Sequence, residues 1–189
     1  MMDSFELLKK ECQECRRCEI AANRHNLVFG TGNEHSDIMF IGEGPGEKED
    51  LQGEPFVGPA GQLLDLMLKL IGLDRDEIYI ANIIKCRPPM NRDPSPTEQD
   101  SCSQWLFRQI ELVDPKIIVC LGRISAKFLI DENFRITKEH GQWHEIRGRK
   151  YIATYHPSAL LRDESKRPDA FADFRLIRSE YRKLHNNND

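Results

Sequence analysis

Four short runs of apolar residues punctuate the chain, at residues 37–42 (DIMFIG), 78–82 (IYIAN), 116–121 (KIIVCL) and 150–155 (KYIATY). Each is nearly continuous rather than alternating, the pattern of a parallel strand covered on both faces. Helical spacing recurs between them. Leu63, Leu64, Met67, Leu68 and Ile71 share one face, which stops at Gly72, and Cys102, Trp105, Leu106, Ile110 and Val113 share another. The second of these helices has a clear start: Ser95 as N-cap, Pro96 at the first helical position and Glu98 three residues after the cap form a capping box. A last helix follows Pro168, with Phe171, Phe174, Ile177, Tyr181 and Leu184 expected inward. This alternation predicts an α/β fold, a three-layer α/β/α sandwich around a mostly parallel four-stranded sheet. No repeat or linker divides the 189 residues, which suffice for one core, so residues 1–189 read as a single domain.

In such sheets ligands sit beyond the carboxyl ends of the strands. That rule points to residues 42–50, 82–92, 122–125 and 156–162. Gly42-Glu43-Gly44-Pro45-Gly46 resembles a phosphate loop only superficially. The third glycine comes one position early for a dinucleotide fingerprint, Pro45 removes an amide, and no Gly-Lys-Ser/Thr follows. Nicotinamide and nucleotide-hydrolysing chemistry are therefore disfavoured. Phe56, between Pro55 and Gly58, reads as core or as a stacking platform.

Composition narrows the class. Hydrophobic residues make up 39% and charged residues 31%, which favours a globular protein. No apolar run approaches the about 20 residues that cross a bilayer, and residues 1–11 are mixed and charged, so a cytoplasmic protein without membrane contact is expected. The net charge of −4 argues against a general polyanion binder. Lys85, Arg87 and Arg92, then Arg147, Arg149 and Lys150, then Arg162, Lys166 and Arg167 still allow a basic face, or simply solvated charges. Six cysteines in such a chain suggest metal or redox chemistry before disulfides. Cys12, Cys15 and Cys18 form a C-x-x-C-x-x-C run, with Cys86 and Cys102 distant, while Cys120 falls in a predicted strand and reads as core. Two close and two distant thiolates suit either zinc or a four-iron cluster. The run holds one cysteine more than either needs.

Several of these segments recur together in one known family. Gly42-Glu43-Gly44-Pro45-Gly46-Glu47 with Pro55-Phe56-Val57-Gly58, Asn82-Ile83-Ile84-Lys85-Cys86-Arg87-Pro88-Pro89, Asn91-Arg92, and His156-Pro157-Ser158-Ala159-Leu160-Leu161-Arg162 closely resemble the family 4 uracil-DNA glycosylases, the thermostable type with a 4Fe-4S cluster. The resemblance runs from about Cys15 to about Arg178. It implies that Cys15, Cys18, Cys86 and Cys102 ligate the cluster, leaving Cys12 as an addition, and that residues up to about 30 form a cluster-binding segment. It also implies a monomeric DNA repair enzyme that acts on uracil in single- or double-stranded DNA, releases free uracil and leaves an abasic site. A contact with a replication clamp stays open.

The base must leave its stack before its sugar carbon can be reached. By resemblance, Phe56 stacks on the extruded uracil, and Asn82 matches its O4 and N3 edge. His156 meets O2, where a fixed donor stabilises the charge on the departing base. Glu43, with Gly44 beside it, contacts uracil through its backbone. Leu160, Leu161 and Arg162 enter the duplex as an apolar wedge with a phosphate-seeking neighbour. Two departures stand out. Better-known uracil glycosylases carry a water-positioning aspartate where this chain has Gly44, and a thymine-excluding tyrosine where it has Gly46, a space that Glu47 or Glu49 is expected to fill. Residues 86–92 contain no histidine of the kind that traps uracil-DNA covalently in one relative, so turnover is expected.

Overall fold

The computed structural model describes residues 4–186. Residues 1–3 and 187–189, which fall at the ends of the expected domain and, for the first three, in its expected cluster-binding segment, lie outside the described residues. Helix α1 (Phe5–Gln13) starts where the Ser4 side chain accepts the Leu7 N–H at 3.1 Å. The two-residue strand β1 (Thr31–Gly32) and the fully buried β2 (Ile38–Gly42) follow. The loop after β2 runs into α2 (Glu47–Gln52) and α3 (Pro59–Leu70). Strand β3 (Tyr79–Asn82) precedes α4 (Pro96–Val113), whose predicted capping box is present: Ser95 Oγ accepts the Glu98 N–H at 3.3 Å, and the Glu98 carboxylate accepts the Ser95 N–H at 2.7 Å. Next come β4 (Ile117–Leu121), α5 (Arg123–Leu129) and α6 (Ile136–Glu139). Strands β5 (Trp143–Ile146) and β6 (Arg149–Thr154) form a hairpin whose Arg147 and Gly148 both have positive φ, 51° and 76°, as a two-residue type I′ turn requires. Helices α7 (Pro157–Arg162) and α8 (Arg167–Asn186) close the described chain.

The sheet runs in the order β1-β3-β2-β4-β6-β5. Its central pairs, β3 with β2, β2 with β4 and β4 with β6, are parallel, while β1 and β5 pair antiparallel at the two edges. The expected four-stranded sheet is therefore a mixed sheet of six. Successive side chains point to opposite faces, so β2 sends Met39 and Ile41 towards α4 and Ile38 and Phe40 towards α3 and α8. Helices cover both faces, which is why the central strands lack alternation.

Three expectations need correction. Phe171 is exposed, and Ala170, Phe174 and Ile177 form the inward stripe of α8, with Asp173 buried beside them because His140 (2.9 Å) and Thr154 (2.7 Å) hold its carboxylate. Lys85 is no surface cation: it is fully buried. Leu160, expected in a DNA wedge, is 1% exposed and packs in the core with Phe56 and Phe174. Among the described residues no helix is long and apolar enough to cross a membrane.

Candidate active site

Beyond the carboxyl ends of β2, β3, β4 and β6 lies a cleft of about 500 Å³, with Glu43, Phe56, Asn82, Gly122, His156 and Arg162 in its wall. Asn82 ends β3 directly opposite Gly42 of β2. A β-carbon at position 42 would stand 2.5 Å from Asn82 Oδ1 and 2.7 Å from the Phe56 ring, so the missing side chain lets both reach the cleft. Asn82 is 2% exposed, and among the described residues its Oδ1 has no hydrogen-bond partner. A buried polar atom without a partner costs about 1–3 kcal/mol, and a ligand in the cleft could recover it. From behind, Lys85 Nζ donates to the Asn82 carbonyl at 2.8 Å and to Gln109 Oε1 at 2.6 Å. Burial pulls the Lys85 ammonium down to about 8, opposed by the neighbouring thiols.

Phe56 is buried in the core and also borders the cleft, stacked on His156 with ring centroids 5.6 Å apart. Its backbone is left-handed, φ 54°, a costly state for an aromatic residue. Two neighbours hold it there. Gly61 in α3 leaves room for the Phe56 carbonyl, which a β-carbon would meet at 1.7 Å, and the Arg75 guanidinium donates to the carbonyls of Phe56 and Pro55. Asp65 in turn fixes Arg75 through its Nε.

His156 follows β6 and caps α7. The Ser158 N–H donates to His156 Nδ1 at 3.1 Å. Because Nδ1 accepts, a neutral ring carries its proton on Nε2. Burial, reinforced by Arg162, pushes the ring down to about 4, so it is neutral at pH 7. Gly122, with φ 94°, makes way for it: a β-carbon there would lie 2.8 Å from His156 Cβ.

Three carboxylates line the cleft, Glu43, Glu49 and Asp93. Glu49 accepts the N–H groups of Val57 (2.9 Å) and Gly58 (2.8 Å), and its Oε2 lies 2.8 Å from where a β-carbon of residue 46 would be. Glu47 is exposed and pairs loosely with Arg87 at 3.9 Å, so Glu49 is the acid beside the space at Gly46. Asp93 pairs with Arg123 at 2.7 Å. Among the described residues the Glu43 carboxylate has no side-chain hydrogen bond or ion pair, and burial, with Asp93 adding to it, pushes it up to about 7. Gly44 borders the cleft with Ile84 behind it, 2.6 Å from a would-be β-carbon. Arg162 borders the cleft and, like Leu161 beside it in α7, is exposed.

Cys12, Cys86 and Cys102 lie in the core cluster on the α4 face of the sheet, with Cys15 and Cys18 packed against it. Cys86 and Cys102 are buried, Cys15 and Cys18 half-buried. Arg24 Nη1 donates to Cys86 Sγ at 3.3 Å and to the Cys15 carbonyl at 2.9 Å, and the Lys85 N–H donates to Cys102 Sγ at 3.2 Å. Cys12 and Cys120 are both buried in that cluster, and Cys120 sits in β4 as the strand pattern predicts. Among the described residues no three His, Cys, Asp or Glu side chains gather as ligands of a single metal ion.

Three supports of this site were not foreseen: Arg75, the Lys85–Gln109 pair, and the grip of Glu49 on the Val57 and Gly58 amides. Gly61 was the one readable signal, a glycine within a helix. The chain is 45% identical over 184 residues to a type-4 uracil-DNA glycosylase of Archaeoglobus fulgidus, covering 93% of this chain and 92% of the relative. It is likewise 45% identical over 193 residues to one of Sulfurisphaera tokodaii (94% and 84%), and 45% over 165 residues to one of Thermotoga maritima (85% of each). With residues 29–177 matching the profile of the uracil DNA glycosylase superfamily, a span from the segment before β1 into α8 that includes the whole cleft, the chain belongs to that superfamily.

Proposed function

We propose that this chain excises uracil from DNA, hydrolysing the bond between base and deoxyribose to leave free uracil and an abasic site. The observation that carries the reading is the pairing, in one cleft, of the buried Asn82, whose Oδ1 is unpartnered among the described residues, with a neutral His156 whose Nδ1 accepts the Ser158 N–H and so leaves its proton on Nε2. Uracil presents an acceptor at O4 and a donor at N3, which an Asn amide answers with one donor and one acceptor. Cytosine's amino group would face the amide donor. His156 Nε2–H donates to O2, where negative charge grows as the glycosidic bond breaks. A fixed donor at that point is worth about 3 kcal/mol. Phe56 supplies the aromatic wall, and Gly44 lets the base approach the loop. Water adds to the electron-poor sugar carbon and the departing base takes up a proton. Glu43 is the carboxylate free to orient that water, since Glu49 and Asp93 are engaged elsewhere. Leu161 and Arg162 meet the DNA beside the lesion.

Cys15, Cys18, Cys86 and Cys102 are assigned to a 4Fe-4S cluster. The donor set fits: four thiols from three separate parts of the chain, with N–H donors from Arg24 and Lys85 aimed at two of the sulfurs, as thiolate ligands favour. Sulfur ligands of a cluster also stand farther apart than those around one ion. When bound, the cluster would supply a structural tether joining residues up to about 30 to the loop after β3 and to α4. We further take the chain to act as a single-domain monomer.

The test is release of free uracil from single-stranded, U:A and U:G substrates, abolished or sharply reduced in Asn82→Ala and His156→Ala. Protein that releases no uracil from any of the three refutes the proposal. A visible absorption spectrum of anaerobically purified protein tests the cluster, and colourless protein with one bound zinc would overturn it.

A further inference from the structure

Met90 is 95% exposed, the most exposed large apolar side chain among the described residues. Its backbone makes this more than chance exposure. Met90 and Asn91 both lie at φ 54°, a region that non-glycine residues avoid and that tends to persist where surroundings enforce it for function. The enforcement is visible: Arg87 Nε donates to Asn91 Oδ1 at 2.7 Å, the Asn91 N–H returns to the Pro88 carbonyl at 3.1 Å, and two consecutive prolines restrict the approach. A rigid loop thus holds a thioether in water. The loop is part of the cleft, whose wall includes Pro88, Asn91 and Arg92.

It leaves the sheet after β3, whereas α7 leaves after β6, with β2 and β4 between. Three strand spacings separate the two, about 14 Å. Leu161, 43% exposed on α7, therefore rises on one side of the cleft and Met90 on the other. We propose that Met90 is a second apolar wedge, which enters the base stack of duplex DNA from the β3 side while Leu161 enters from the β6 side. The inference rests on the reading that the cleft accepts uracil from DNA. A flexible, polarisable side chain suits the face of an unstacked base, and Arg87 and Arg92 beside it can meet phosphates.

The test compares kcat/KM for uracil release from a duplex with that from a single strand of the same sequence. Met90→Ala should lower the duplex-to-single-strand ratio about tenfold, the scale expected for losing one inserted side chain, and Met90→Leu should restore it. In a duplex with a non-cleavable 2′-fluoro-deoxyuridine beside 2-aminopurine, extrusion of the base and entry of Leu161 brighten the fluorophore in both proteins, and the parent should brighten it more than Met90→Ala does. An unchanged ratio, or brightening in Met90→Ala equal to the parent's, overturns the proposal. A parent that releases no uracil from either strand form refutes the glycosylase reading instead.

Discussion

The guanidinium of Arg75 donates to the carbonyl of Phe56 and so fixes the left-handed backbone that brings the Phe56 ring to the cleft. Arg75 is not itself among the residues that line the cleft and acts through Phe56, so it is a positioning residue. Arg75→Ala should raise KM for uracil-DNA several-fold more than it lowers kcat, because the stacking wall loosens while Asn82 and His156 stay in place. Arg75→Lys, which keeps the charge and loses the fork of donors, should recover only part. Equal loss in kcat and KM terms, or full recovery with lysine, would rule out this role.

Glu43 gives a pH dependence with a definite sign. Burial, then Asp93, pushes its folded-state value up to about 7. If the ionised form orients water, kcat/KM rises with pH through about 7, and Glu43→Gln is slow and flat across that window. Stability moves the other way. The folded protein holds this proton more tightly than the unfolded chain, so stability is lost as pH climbs from the ordinary glutamate range through 7. Glu43→Gln should therefore stabilise at pH 8, by roughly 1 kcal/mol given an open cleft that screens the charge, and be neutral at pH 4. Melting curves at the two pH values check this.

Glu49 places its carboxylate where the side chain of residue 46 would begin, held by the amides of Val57 and Gly58. If the proposed pose turns C5 of the base towards this space, anything larger than a hydrogen there must displace the carboxylate. Glu49→Ala should release thymine from a T:G mismatch, which the parent should not. A variant that still excises uracil and never thymine would show that the gate lies elsewhere.

How far the sequence speaks depends on the range over which each feature is decided. Strands β2, β3, β4 and β6 were legible because burial on both faces leaves continuous apolar runs, and α4 because its capping box is local. Asn82 and His156 were legible as chemistry-bearing residues at strand ends. The two-residue β1 is too short to show a period, and β5, Trp143–Ile146, carries His144 and Glu145 at an edge. Arg75 acts nineteen residues back on Phe56, and Lys85 is buried because Gln109, twenty-four residues on, receives it. Such partners are set by tertiary packing. Adjacent positions on α7 diverge for the same reason, Leu160 turned into the core and Leu161 out of it.

That divergence yields the last prediction. Leu160 is 1% exposed among Phe56, Phe174 and other core residues, so Leu160→Ala should leave a cavity and cost about 2–4 kcal/mol. Its effect on excision would follow from a displaced Phe56 and should appear equally on single strands and duplexes. Leu161→Ala removes an exposed side chain and should change stability by no more than about 0.5 kcal/mol. Its cost should fall on duplex substrates, because a single strand has no stack for a wedge to enter. Denaturant midpoints and paired excision assays separate the two residues. A Leu161→Ala variant that is destabilised as much as Leu160→Ala, or that loses single-strand and duplex activity alike, would remove Leu161 from the DNA interface.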